Sequence, residues 1–413
     1  MVYTHSIFAN LVSKYGDWPS LSAFLQSEAG GAVRVVQKEG ERYAILRYVK
    51  GTSDLSAHGK DIHSLGVDLS NKEWVPWMRS VVWDTQTNRP VCIAPCKAMS
   101  GDIPHERVVA VEEFAEGVMV NCFWDESMGA VRWTTRTSLD ANSGFYGGKT
   151  FAEMIQDALT TKGMKPINIV GKGFASFVLQ HPGHRIVQWH EAPNLILIHT
   201  GLVNDDGTVN LLDNPADWEA DARFLAVKQY EPLGAAELPM DRMNKMTQTQ
   251  DSKWQGIVFR GHNGQRWRLR SVSYKILRNL RGPEARIEDR FARLRRENMI
   301  NTYLITWSEE RTRFSELEKR LRDLTAMIYT EYCAVHKEHS KVFMDVPVAL
   351  RTPVYHLHGI YLKDLRENKQ TLKMPIVIQY VNNLASEHVS SMLRSQIVTV
   401  PAAAPAVPAV AVA

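Results

Sequence analysis

The chain has 413 residues, 44% hydrophobic and 23% charged, with a net charge of +4; this excludes wholesale disorder and leaves room for two or three domains around a sizeable core. No apolar run approaches the ~20 residues that span a bilayer, and the opening MVYTHSIFANLVSKYGDW lacks the charged-then-apolar pattern of a secretory signal. Four scattered cysteines (Cys92, Cys96, Cys122, Cys333) exclude a disulfide framework and point to a reducing, intracellular setting rather than secretion.

In chain order, residues 33–49 read as a hairpin, two β-rich runs around Lys38, Glu39 and Gly40. Residues 81–94 and 108–124 continue as strands, dense in β-branched side chains. Residues 150–161 read as a helix with Phe151, Met154, Ile155 and Leu159 on its apolar side. Residues 174–187 and 195–199 return to strand. Turn signals at 204–207 and 213–215 make 203–252 a mixture of loops and a short helix. Beyond Pro283 the character changes. Phe314, Leu317, Leu321, Leu324, Ile328, Tyr332 and Val335 recur at three- and four-residue intervals, the mark of one long amphipathic helix. Residues 356–366 and 374–384 read as two more helices. The tail PAAAPAVPAVAVA from Pro401 has no charge and little complexity, as a flexible extension would. Three segments are therefore expected: an α+β body over 1–282, a helical domain over 283–397, and the tail over 398–413.

Charge is concentrated in one place. KWQGIVFRGHNGQRWRLRSVSYKILRNLR, from Lys253, holds two alternating runs around a His-Asn-Gly turn, the pattern of a strand pair with one face packed and one face wet. Arg260, Arg266, Arg268 and Arg270 fall on that wet face, and Lys275, Arg278 and Arg281 continue onto a following helix. Residues 251–297 carry 13 Lys/Arg against 5 Asp/Glu, so the remainder of the chain is net acidic. A focused guanidinium stripe attracts a polyphosphate or a nucleic-acid backbone; the bland alternative is a solvated cationic face. No metal site is expected. Cys92 and Cys96 have no second Cys/His pair nearby, and core or surface roles suffice for His336, His339, His356 and His358.

Seven stretches carry a resemblance: RYVKG from Arg47, CIAPCK ending at Lys97, AEGVMVNCFWD from Ala115, WTTRTS from Trp133, SFVLQHPGHRIV from Ser176, QGIVFRGHNGQRWRLRS from Gln255 and HLHGIYLKDLR from His356. In this order the chain resembles RNA ligases of the bacteriophage RNA ligase 1 type, in the nucleotidyltransferase superfamily, and more closely the RNA-ligase-like proteins of large DNA viruses. The resemblance implies a ligase-type nucleotidyltransferase domain built on antiparallel sheets with a helical C-terminal domain. It also implies ATP and Mg²⁺ as cofactors, RNA as partner, and a location in the cytoplasm, at a viral replication site or in a virion. Such enzymes carry AMP on a lysine as a phosphoramidate, hold ribose and metal with carboxylates, and grip the α-phosphate with cations.

The chain departs from that pattern where the chemistry lies. Aligning on Glu116 and Gly117 puts Phe114 in the nucleophile's position, and phenylalanine has no lone pair to donate. Val178 falls where a middle-strand glutamate is expected. Gln255 and Gly256 replace a Glu-Gly pair, while Arg268 and Arg270 replace two lysines and can still grip phosphate in bidentate fashion. The resemblance thus implies nucleotide binding by Arg79, Lys97, Gly117, Arg136, Gln255, Arg268 and Arg270 and no catalytic residue, while the basic stripe points to nucleic-acid binding by Arg260, Arg266, Lys275, Arg278 and Arg281. The expectation is a pseudoenzyme that binds RNA or nucleotide phosphate. The alternatives are an active ATP-dependent ligase with a displaced nucleophile such as Lys97 or Lys253, and a viral structural or assembly protein.

Overall fold

The structure is a computed structural model that describes residues 2–5, 7–27, 33–49, 74–104, 107–146, 148–164, 173–212, 225–226, 229–230, 240–261 and 264–395. The expected tail, the turn signal at 213–215, Lys50, Gly51, His262 and Asn263 lie outside these residues. Two compact units are present, Met1–Asn279 and Leu280–Ala413.

The first unit opens with β1 (Val2–His5), α1 (Ile7–Lys14) and α2 (Trp18–Gln26). There follow β2 (Val33–Val36), β3 (Tyr43–Tyr48), β4 (Val81–Asp84), β5 (Arg89–Ile93), β6 (Val108–Glu113), β7 (Val118–Asp125) and β8 (Ala130–Thr134). Next come α3 (Phe151–Thr161), β9 (Phe174–Gln180), β10 (Asn194–Val203), β11 (Val209–Leu212), β12 (Leu225–Ala226) and β13 (Gln229–Tyr230). The unit ends with α4 (Met240–Thr249), β14 (Gly256–Gly261), β15 (Arg266–Arg270) and α5 (Val272–Arg281).

These strands make three sheets: a seven-stranded one ordered β1-β11-β10-β9-β7-β8 with β12 beside β10, and two four-stranded ones, β13-β6-β14-β15 and β2-β3-β4-β5. Every pairing is antiparallel except β10 with β12. The α+β class with antiparallel sheets is the one expected. The hairpin over 33–49 forms as read, with Val33 opposite Tyr48. Residues 81–94 are two strands rather than one, because Asn88 turns the chain at φ 52°. Residues 108–124 are also broken: β6 and β7 belong to different sheets, and the chain crosses between them at 114–117. β9 stops at Gln180, where the His181 ring accepts from the Gly183 N–H at 2.9 Å and Pro182 has no donor for a ladder.

Helix α3 follows its sequence signals closely. Thr150 and Glu153 form a reciprocal capping box, and Phe151, Met154, Ile155 and Leu159 pack on Phe177, Leu179, Leu195 and Leu197 of the large sheet. The main core is aromatic, built around Phe8, Trp74, Trp77, Trp83, Phe123, Phe174 and Phe259. Helices α1 and α2 escaped the sequence reading, although Asp17 caps α2 by accepting from the Ser20 N–H at 2.8 Å.

Two glycines allow the strands near the crossing to approach. Gly117 sits at φ +150°, and a Cβ there would lie 2.3 Å from the Leu179 carbonyl oxygen. Gly256 sits at φ +141°, with the Leu269 carbonyl oxygen 2.0 Å from the same hypothetical atom. Both obstacles are backbone and cannot swing aside. Gly256→Ala is expected to cost about 2–4 kcal/mol, read from the urea midpoint.

His199, buried on β10, holds the sheets together by a polar chain. Its Nε2 lies 2.8 Å from the Ile93 carbonyl, which can only accept, so Nε2 carries the proton. Ser176 Oγ sits 3.1 Å away and donates to Asn121. Burial, reinforced by Arg260, Arg266 and Arg79, pushes the His199 pKa from 6.5 down to about 3. The unfolded chain takes up this proton first, so the contribution is present above pH 6.5 and lost as pH falls towards about 3. The urea midpoint should drop between neutral pH and mild acid, and His199→Gln should flatten that decline.

The second unit is helical: α6 (Ile287–Arg296), α7 (Ile300–Thr306), α8 (Arg311–His336), α9 (Val348–Ile360) running into a π-helical turn Tyr361–Leu365, α10 (Met374–Asn382) and α11 (Ser386–Arg394). All seven apolar residues read from the 314–335 periodicity are buried along α8. The helix expected at 356–366 instead begins at Val348, through Pro353. Among the described residues no helix is long and apolar enough to cross a membrane.

Candidate functional site

β14 and β15 pair with Gly256 opposite Arg270, Val258 opposite Arg268 and Arg260 opposite Arg266, so the alternation read from sequence does put the four arginines on one face. β6 extends the same face, with Glu112 opposite Val258 and the Phe114 N–H donating to the Gly256 carbonyl at 2.9 Å. The Arg260–Arg266 end of this face is not wet, while Arg268 and Arg270 are partly exposed. Arg260 is only 5% exposed and donates to Glu112 and to the Ile198 carbonyl; Arg266 is 8% exposed. The face turns inward against the large sheet, because the chain crosses to β7 through the tight turn at Gly117.

What that packing leaves open is a cavity of about 800 Å³. Arg79, Lys97, Arg136, Arg266, Arg268, Arg270 and Arg278 line it, as do Gly117 and Gln255. All seven positions assigned to nucleotide binding therefore meet in one place, although they span nearly two hundred residues of sequence. Phe114 and Val178, the positions where the sequence reading expects a nucleophile and a glutamate, line it too. Of the positions assigned to nucleic acid, Arg266 and Arg278 reach the cavity. Lys275 is exposed on α5. Arg260 and Arg281 are instead buried in ion pairs, Arg260 with Glu112 and Arg281 with Glu310 at 2.7 Å and with the Tyr303 hydroxyl. Period-two alternation reports which face a side chain takes, but not whether a partner carboxylate waits there.

Four of the cations are held by neutral groups. Arg136 donates to the Tyr48 carbonyl at 2.8 Å and the Arg79 carbonyl at 3.3 Å, and its guanidinium lies 4.5 Å from the Tyr48 ring centroid. Lys97 Nζ is 5.7 Å from the same ring. Arg268 donates through Nε to Ser100 Oγ at 3.2 Å, and its backbone bonds Met99, which bridges the 97–100 segment to β15. Arg270 lies 5.2 Å from the Phe114 ring. Among the described residues, Lys97, Arg136, Arg268 and Arg270 have no carboxylate partner. Burial, then Arg266, pulls Arg79 down to about 10. Burial and the neighbouring Arg268 and Arg136 lower Lys97, and burial with Arg270 lowers Arg268. Like charges crowded together in a low dielectric raise the field that an anion would relieve.

Sequence reasoning missed Tyr48, Ser100 and Tyr274. Tyr48 stands inside the quoted RYVKG motif, and its ring offers π density to two cations. Tyr274 is buried beside Glu116, and burial and that carboxyl raise its hydroxyl well above the ordinary range.

The carboxylate side is poor. The cavity holds Glu113 and Glu116 against its seven cations. Glu116 Oε1 is already taken by the Val187 and Gln188 N–H groups at 3.0 and 2.9 Å. Burial pushes its pKa up despite those bonds, favouring the neutral acid. Val178 supplies only methyl groups, and Gln255 only an amide. Among the described residues no group of three or more His, Cys, Asp or Glu could hold a metal ion. The lining offers a polyphosphate seven cations but a divalent ion only two carboxyl groups, of which Glu116 is buried with one oxygen already engaged, a poor fit for Mg²⁺.

No family model and no curated protein matches the chain. Among solved structures it is similar to a Naegleria gruberi RNA ligase with PPi, at 10% identity over 41% of this chain and 51% of that one, with a TM-score of 0.28. It is also similar to two forms of an archaeal ATP-dependent RNA ligase, at 12% and 13% identity. These cover 70% and 76% of this chain and 68% and 76% of those, each with a TM-score of 0.37. The chain thus spans about half the length of the Naegleria ligase, and at these scores the likeness assigns neither a reaction nor a ligand to this cavity.

Proposed function

We propose that the chain is an RNA-ligase-like protein of nucleotidyltransferase type that grips RNA or nucleotide phosphate in its cationic cavity and lacks the lysine that would carry the nucleotide. One observation supports this reading above the others. The seven residues assigned to nucleotide binding, together with Phe114 and Val178, line one cavity whose charge is overwhelmingly positive. Attack on the α-phosphorus of ATP requires an amine lone pair to form the N–P bond while pyrophosphate leaves. The Phe114 ring cannot supply one, but with Arg270 it can cover a bound base or phosphate. Incubation with α-labelled ATP and Mg²⁺ or Mn²⁺ should leave no label on the denatured protein, while labelled RNA binds with a steep salt dependence. Retained label overturns the reading.

One observation favours a second reading. Lys97 is the single lysine among the described cavity residues, and burial with Arg268 and Arg136 lowers its pKa below the ordinary lysine value. Mass spectrometry that locates AMP on Lys97 would replace a binding protein with an active ligase whose nucleophile has moved.

A further inference from the structure

We propose that this cavity takes its phosphate ligand without a divalent cation, as a bare polyphosphate chain. The inference rests on the reading of the cavity as a phosphate site and concerns what accompanies the phosphate. An enzyme that holds a metal–phosphate complex supplies carboxylates for the metal and cations for the remaining charge. Here the first part is weak. Of the two carboxyl groups in the lining, Glu116 is buried with one oxygen committed to two backbone N–H groups, which leaves Glu113 as the other.

The second part is present in excess. Arg268 and Arg270 alternate on β15 and so project to the same side about 7 Å apart, with Lys97 and Arg136 gathered at the Tyr48 ring. None of these four has a carboxylate partner among the described residues. The guanidinium forks match phosphate oxygens that a bound metal would otherwise occupy. A divalent ion approaching this lining meets repulsion from the cations, and once on the ligand it cancels the charge that they need. Magnesium should therefore act as a competitor.

The test is calorimetric titration of the full chain with sodium tripolyphosphate, in EDTA and again with excess MgCl₂. Binding is expected in EDTA, with affinity falling roughly tenfold or more in magnesium. Glu113→Gln removes a like charge from the ligand's surroundings and should tighten binding in EDTA by roughly threefold. Binding that requires magnesium, or that Glu113→Gln weakens only when magnesium is present, overturns the inference while leaving the phosphate site intact. No binding in either buffer overturns the phosphate site and this inference with it.

Discussion

Replacing Arg268 and Arg270 together with alanine is expected to lower RNA affinity by a hundredfold to a thousandfold, about 3–4 kcal/mol, at constant salt. Each guanidinium would make charge-assisted bonds to phosphate, and such bonds contribute about 1.5–3 kcal/mol each. The salt dependence should weaken in parallel. A single-stranded phosphate contact contributes about 0.7 to the slope of log affinity against log salt, so losing two should reduce it by about 1.4. A filter-binding series across salt concentrations reads both quantities. The fold should tolerate the change, because Arg268 and Arg270 are only partly buried and are anchored by Ser100 and by the Phe114 ring rather than by carboxylates. Unchanged affinity and slope would remove the cavity from any account of RNA binding. Lys275→Ala, at an exposed position on α5, should shift the slope by no more than about 0.7.

The cavity was legible in sequence to an unusual degree at β14 and β15, for a physical reason. Alternation fixes which side chains share a face, and a hairpin fixes which residues stand opposite, so the arginine face follows from local pattern alone. What local pattern does not contain is the other side of the fold. Arg260 reads like Arg268 in the sequence, yet Glu112, nearly 150 residues away, pairs with one and not with the other. Likewise Tyr48 is an ordinary strand residue until the 97–100 segment and Arg136 are brought over its ring. The need for glycine at 117, where 108–124 crosses between sheets, follows from non-local crowding against Leu179, which no propensity records. The long α8 helix was read nearly to its ends because 3.6-residue periodicity over 26 residues is strong evidence by itself. The short helices α6, α7 and α11 have no such run, and α6 is so rich in arginine that it reads as part of the basic stripe.

Glu112→Ala is the second substitution expected to have a large effect, this time on stability. Glu112 is fully buried and Arg260 is 5% exposed, and they pair across the β6–β14 ladder. Removing the carboxylate leaves a guanidinium inside the sheet stack without its counter-charge, which costs about 3–5 kcal/mol and lowers the melting temperature by roughly 10 °C. Glu112→Leu combined with Arg260→Met removes both charges and should recover most of the loss, since well-packed apolar side chains replace a buried ion pair at little cost. Recovery should stop about 1 kcal/mol short, because the Ile198 carbonyl loses the donor that Arg260 provides at 3.2 Å. If Arg260 is structural, this double variant also binds tripolyphosphate like the parent chain. A double variant that folds but no longer binds would return Arg260 to the phosphate site and show that the ion pair with Glu112 opens when ligand arrives.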